Sequence, residues 1–562
     1  MSKGYVLGHL DRDGSFKFVG PAVDLLVLPG DYVLVGLKEE AWTLFLGQVE
    51  DSKVRFVLEP HTYGSTQPVS SQPGAGAWVQ ERSEMVPTGP CEAAGRLLAR
   101  VEADEGGWTA VLGSDVRRHA GGVTIQHAPD EAVESFVAQA CRTKGPTLRV
   151  GALLGVSRPV QVRLLPQGLK RPTGLFGQTG AGKSYALGVI VEELILKTKA
   201  NVVILDPNGD FVRFKDDLRR LNEINDGTNQ CSVAQAELDS LRSIHAQKRE
   251  RIALLSADAS VHGARRKFLR LSDLDQREVT AALRLDRAAH PEEYHFLASA
   301  RDKLATLSGK EGPSYSVDAL EKFIRTAGAQ SPVAATKRTA ERLGRALLNS
   351  NLASLSIWGS ASGNESTLVS FLTDDKLQAV IVDLSTLTRL ERSIVASVVF
   401  RTLFGIQEQR RRDQDGKCTV LVLDEAHHLF PQKVVFPEQE LTVDWGSRVA
   451  GEGRKYGLYL VVASQLPSKV HEHILTQCGN LVLMKMASQS DIDALRDSFS
   501  FVTASLLERA KWFHKGEALV IGGIVPVPSC LMHFEGRKTQ EGGRDLKVDW
   551  GEAGGGSERR LP

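Results

Sequence analysis

Two stretches of this 562-residue chain carry residue types that could do chemistry together. The first is Gly177-Gln178-Thr179-Gly180-Ala181-Gly182-Lys183-Ser184, which fits the spacing G-x-x-x-x-G-K-[ST]. Glycines let a backbone wrap an anion closely and turn its N–H groups toward it. Lysine supplies a point charge for β- and γ-phosphates, and serine supplies a Mg²⁺ ligand. The stretch follows apolar Leu175-Phe176 and opens the amphipathic run SYALGVIVEELILKT, so a helix N-terminus adds a favourable dipole for phosphate. The residues expected to contact ATP run on to Tyr185. A glycine-rich turn without a ligand is the bland alternative, and the order strand, motif, helix argues against it.

The second stretch is Val420-Leu-Val-Leu423 followed by Asp424-Glu425. In a parallel sheet, ligands collect at the carboxyl ends of strands. Two acids closing an apolar strand there fit two tasks. Asp424 suits the outer shell of Mg²⁺, and Glu425 suits orienting and deprotonating an attacking water. Alone, the pair could merely begin a surface turn. Beside a phosphate loop it points to ATP hydrolysis with Mg²⁺ as cofactor.

These groups need a scaffold. Around the phosphate loop the chain alternates apolar strand and helix: VQVRLL and PTGLFG, the helix, then NVVILD, with LQAVIVDLS, TVLVLDE, LYLVVASQ and NLVLMKM further on. Such alternation predicts an α/β fold with a mostly parallel sheet over about 160–535. Residues from about 212 to 376 read as a more polar, helical insertion between two of its strands. Residues 1–159 differ, with short runs such as DYVLVGL and AWTLFLGQV broken by Gly and Pro. They predict a small N-terminal β-barrel or sandwich, with a mobile hairpin tip at 62–76. Residues 536–562 are polar and Gly-rich, a flexible tail unable to build a core.

Composition excludes some classes. With 69 basic against 68 acidic residues the chain is no general polycation, although a local basic stripe is compatible with this balance. Six cysteines without ligand spacing read as reduced thiols of a cytoplasmic protein. The start, MSKGYVLGHLDRDG, lacks a signal-peptide pattern, and acids interrupt the apolar helix after the phosphate loop, so no membrane partner is expected. Arg338, Arg342 and Arg345 share one helix face and read as solvated. Arg410, Arg411 and Arg412 complement a helix C-terminus. His427 and His428 read as packing or signalling residues, not metal ligands.

With both sites placed, the chain resembles the HerA branch of the HerA/FtsK ATPases. The resemblance runs through GQTGAGKS, DPNGDF (206–211), DLS (383–385), DEAHHLF (424–430), GEGRKYG (451–457), SQLPSKV (464–470) and KGEALVIGGIVPVP, in that order. Asn208 stands where that family has a histidine. The resemblance implies a RecA-like P-loop NTPase core behind an N-terminal barrel, assembled as a homo-hexamer that threads duplex DNA without sequence preference. It further implies that Gln465 senses the γ-phosphate, and that Arg454 is an arginine finger for the neighbouring subunit, with Lys455 and Arg448 as rivals. Arg171 matches a nucleotide-contacting basic residue. Asp206 and Asp210 tune a magnesium and water network or cap a turn. By position, Arg213 and Lys215, with Lys433 and Arg448, are the DNA-contact candidates. A partner nuclease or effector, in DNA end processing or antiphage defence, is expected beside the motor. The rival readings are an ATP-regulated scaffold for an effector enzyme and a secretion-type motor.

Overall fold

The computed structural model describes residues 6–21, 25–38, 42–61, 82–104, 107–112, 121–142, 145–225, 233–266, 268–307, 315–350, 352–358 and 366–542. The hairpin tip expected at 62–76 lies outside the described residues.

The N-terminal strands are β1 (Val6–Leu10), β2 (Ser15–Pro21), β3 (Tyr32–Lys38), β4 (Trp42–His61), β5 (Arg82–Asp104), β6 (Gly107–Val111) and β7 (Gly121–His127). They pair in the order β2-β1-β7-β3-β4-β5, and a β2–β5 pairing closes the ring into a six-stranded barrel, with β6 added outside on β5. Closure removes the open edges that would otherwise invite aggregation. Phe16, Phe18, Val33, Val35, Phe45, Val49, Val123 and Ile125 fill the interior. The Phe16 ring occupies the space where side chains on Gly47 and Gly95 would stand, within 2.6 and 2.5 Å of their ideal Cβ positions. Glycine is required at both.

The remaining strands form one sheet: β8 (Leu148–Leu153), β9 (Gln161–Leu164), β10 (Thr173–Phe176), β11 (Asn201–Asp206), β12 (Ile252–Leu255), β13 (Ala379–Asp383), β14 (Thr419–Leu423), β15 (Leu458–Ser464), β16 (Asn480–Met484), β17 (Glu517–Gly522) and β18 (Ser529–Phe534). Its order is β12-β13-β11-β14-β15-β10-β16-β17-β18-β8-β9. From β12 to β16 neighbours are parallel, and from β17 onward they are antiparallel. Both faces of the parallel part are covered, so its strands are apolar throughout. Alternate residues feed two cores: Val203, Leu205, Leu421, Leu423 and Val462 on one side, and Val202, Ile204, Val420, Val422 and Val461 on the other.

Three expectations about boundaries are corrected. β8 precedes position 160, yet it pairs with β18 of the ATPase sheet, so the core starts earlier than its motif pattern suggested. The insertion between β11 and β13 is mostly helical but also contributes β12, which extends the parallel sheet beside β13. Residues 536–542 are not a loose tail: Arg537, Lys538 and Thr539 are fully buried.

Barrel and core meet through specific bonds. Arg509 pairs with Asp31 at 2.9 Å, Gln48 Nε2 donates to the Ser529 carbonyl at 3.0 Å, and Thr503 Oγ1 donates to the Glu50 carbonyl at 3.0 Å.

Candidate active site

β10 runs directly into the phosphate loop. Gly180 and Gly182 adopt φ of +80° and +95°, a left-handed backbone that glycine takes at little cost. The helix Lys183–Lys197 then begins, and its inner residues from Ala186 to Leu196 are buried against the sheet. On either side of β10 stand β15 and β16, with Phe176 in register with Ser464 on one side and Leu483 on the other. β14 lies next to β15, so its carboxyl end, Asp424-Glu425, faces the loop across one strand.

That spacing is bridged by side chains. The Lys183 ammonium bonds Asp424 Oδ1 and lies 3.1 Å from Glu425 Oε1. Burial would depress the lysine, but the two carboxylates outweigh it and hold the ammonium above its ordinary value. Gln465, just beyond β15, donates from Nε2 to Glu425 Oε1 at 2.7 Å and from its backbone N–H to Oε2 at 3.3 Å. Its carbonyl oxygen accepts from the Thr179 hydroxyl of the phosphate loop. Gln178 is tied to β16's end, its side-chain oxygen accepting from the Ala487 N–H at 2.9 Å. Glu425 itself sits at φ +41°, uncommon for a residue with a side chain. Strain of this kind persists where the surroundings fix it, and it concentrates at functional sites.

The donor set fits Mg²⁺. Asp424 Oδ2 is buried without a hydrogen-bond partner, while its other oxygen is engaged by Lys183 and by the Glu425 N–H at 2.9 Å. An orphaned buried carboxylate oxygen beside the phosphate-loop lysine suits a hard cation's hydration shell. Ser184 would be the direct ligand, and the ion would neutralise charge on the transferred phosphoryl oxygens.

Asp206 and Asp210 divide their roles. The Asp206 carboxylate accepts four backbone N–H bonds, from Asn208, Gly209, Asp210 and Phe211, between 2.8 and 3.3 Å. It therefore caps the loop. Burial pushes its carboxyl up to about 7, with Asp210, Asp424 and Asp383 adding to the rise. The Asp210 carboxylate instead lies beside the Ser184 side chain. His427, silent in the sequence reading of catalysis, bonds Ser464 Oγ at 3.0 Å and lies 3.4 Å from Glu425 Oε2. Burial, then the adjacent His428, depresses the imidazole and keeps it neutral.

Other expected residues lie elsewhere. Arg171 precedes β10, and the phosphate loop follows it, so the whole strand separates them, roughly 13 Å at about 3.3 Å per residue. The structure does not bring Arg171 to the nucleotide loop of its own chain. It packs against Gly479 instead. Arg454 and Lys455 are exposed in the turn Gly453–Tyr456 before β15, on the same far edge. Arg448 stacks on Phe404, its guanidinium carbon 4.1 Å from the ring centroid, which occupies it inside its own subunit. Arg213 pairs with Asp216 at 2.7 Å. Lys433 is exposed in the loop after β14, followed by Val434 and Val435, which are 41% and 70% exposed. Tyr185 is held by Arg219, whose Nη1 donates to its hydroxyl at 3.0 Å. No described helix is long and apolar enough to cross a membrane.

Residues 148–403 match the family described as helicase HerA, central domain. The chain is 24% identical over 424 residues to the DNA double-strand break repair helicase HerA of Saccharolobus solfataricus, covering 74% of this chain and 73% of that protein. It is 23% identical over 456 residues to the protein of the same name from Pyrococcus furiosus, covering 71% and 73%. A solved structure of the bacterial conjugative coupling protein TrwBΔN70 aligns with a TM-score of 0.47 at 15% identity, over 73% of this chain and 92% of that one. Motif order, a phosphate loop facing an acidic strand end across one strand, and the family match together identify residues 148–403 as a HerA-type central domain.

Proposed function

We propose that this protein is an ATP-driven motor that translocates duplex DNA through a homo-hexameric ring and serves a partner nuclease or effector. ATP binds on the phosphate loop with Mg²⁺. Lys183 holds the β- and γ-phosphates in cis, Glu425 orients and deprotonates water, and Gln465 registers the γ-phosphate. The observation that carries the reading is the continuous link Thr179–Gln465–Glu425–Lys183, which joins loop, sensor and base across β10, β15 and β14. A bound γ-phosphate competes for the Lys183 ammonium and the Gln465 amide, so binding and release of phosphate change what holds Glu425.

Arg454 acts in trans. β15 separates it from Gln465 by seven residues of strand, roughly 23 Å at about 3.3 Å per residue, too far for its own nucleotide. Its exposure suits delivery to a neighbour, where a guanidinium offsets transition-state charge. Lys433 on its exposed loop, with Arg213 and Lys215, grips the DNA backbone, contacts that are sequence-independent and salt-sensitive.

The test is ATP turnover with and without linear duplex DNA at low salt, alongside native mass of the assembly. Stimulation by DNA and a six-subunit mass support the motor. Hexamers that recruit a partner while DNA neither binds nor stimulates favour the ATP-regulated scaffold.

A further inference from the structure

The polar segment after β18 folds back under the phosphate-loop helix. Arg537 is among the largest fully buried side chains of the described residues. Its guanidinium lies beneath Gly188, where a Cβ would approach Nε to 2.5 Å, so the helix tolerates it only with glycine above. Nε donates to Thr539 Oγ1 at 2.9 Å, Nη2 donates to the Asp210 carbonyl at 3.2 Å, and the guanidinium carbon is 5.0 Å from the Phe211 ring centroid. Nη1 is buried without a hydrogen-bond partner. A second donor from the same segment, the Gly542 N–H, reaches the Asp210 carbonyl at 3.2 Å. Gly542 packs so tightly on Gly209 that a Cβ would meet its carbonyl at 2.1 Å.

The Asp210 backbone is thus pinned from two directions. Asp206 takes the N–H groups of its loop, and the C-terminal segment takes its carbonyl. The carboxylate left over lies beside Ser184, the serine of the phosphate loop. A buried guanidinium is costly unless its fork is used, and here the fork spans two elements that no local sequence contact connects.

We propose that Arg537 is a positioning residue of the ATPase site: by fixing the Asp210 loop against Ser184 it presents the Asp210 carboxylate to a water of the Mg²⁺ ion that accompanies the nucleotide. This rests on the ATP-binding reading above and adds the C-terminal segment to the site. Groups that orient a metal's ligands typically contribute 10–100-fold in metal affinity.

The test is titration of a fluorescent ADP analogue into full-length protein, in excess EDTA and in excess Mg²⁺. For the wild type, Mg²⁺ tightens binding. In Arg537→Met that Mg²⁺-dependent gain falls by about 10-fold, while affinity in EDTA stays at the wild-type value. Gly188→Ala gives the same loss by displacing the guanidinium, although alanine is the better helix former. If Arg537→Met fails to fold, Arg537→Lys and Gly188→Ala carry the comparison, since both keep a cation in the segment. Retention of the full Mg²⁺ gain in the folded variants overturns the proposal. So does an equal loss in EDTA, the mark of a merely structural role. A wild type that binds the analogue in neither condition overturns the ATPase reading, and the proposal with it.

Discussion

Gln465 and Glu425 are joined by a 2.7 Å hydrogen bond from the amide to the carboxylate, although they lie forty residues apart on neighbouring strands. The bond fixes the carboxylate proposed to activate water. The same amide's oxygen receives the hydroxyl of Thr179, so the base and the phosphate loop are linked through one side chain. An amide is suited to this because it donates and accepts at once.

Gln465→Ala removes both side-chain contacts and leaves Glu425 held by Lys183, His427 and the backbone N–H of position 465. ATP turnover is expected to fall about 10²–10³-fold, the loss seen when one preorganised hydrogen-bonding group leaves an active site. Binding of ATP should persist. Steady-state hydrolysis alongside filter binding checks both, and unchanged turnover contradicts the sensor role.

Arg454→Ala should reduce turnover about 10³–10⁵-fold, the range of arginine-finger contributions. The defect should be complemented across a subunit boundary. Arg454→Ala and Glu425→Gln chains are each inactive alone, but mixed rings contain interfaces with an intact Glu425 on one side and an intact Arg454 on the other. Measurable activity in the mixture is expected, and none at all argues for action in cis or for no role.

Lys538 is wholly buried, 3.3 Å from Glu192 and 3.6 Å from Glu193 on the phosphate-loop helix, and bonded to Glu535. Lys538→Met keeps the volume and strips a cation from three buried carboxylates. Leaving buried charge uncompensated costs about 3–5 kcal/mol. Urea unfolding followed on the ATPase-core transition should register that loss, and a midpoint at the wild-type value contradicts it.

Asp206 makes a pH prediction. Its carboxyl is raised by burial to about 7 from an ordinary 3.8. The folded chain therefore keeps a proton that the unfolded chain releases, and stability falls as pH rises from the unfolded value through the folded one. Asparagine cannot ionise and still offers an oxygen to the loop N–H groups. In protein free of Mg²⁺ and nucleotide, the thermal midpoint of Asp206→Asn relative to wild type should rise between about pH 5.5 and about pH 8. A constant difference contradicts the assignment.

Local signals made the core legible. Lys183 and Ser184 follow their glycines within a few residues, and Asp424 closes an apolar strand, so type and spacing announce them. The barrel was readable from short alternating runs, because interior packing imposes period two. Arg171 shows that nearness in sequence to the phosphate loop is not nearness in space when a strand intervenes: it does not reach the loop of its own chain. β12 was hidden by its brevity within a polar stretch. Arg537 and Lys538 could not be read, since their polar segment is buried only through partners such as Glu192, 346 positions away. Composition alone describes such residues as solvated.

Single-turnover hydrolysis by Glu425→Gln in the presence of Mg²⁺ tests the proposed base most directly. The variant should bind ATP as the wild type does and release ADP at least about 10²-fold more slowly, the contribution of a general base. Hydrolysis by Glu425→Gln at the wild-type rate would contradict the claim that this carboxylate activates the attacking water.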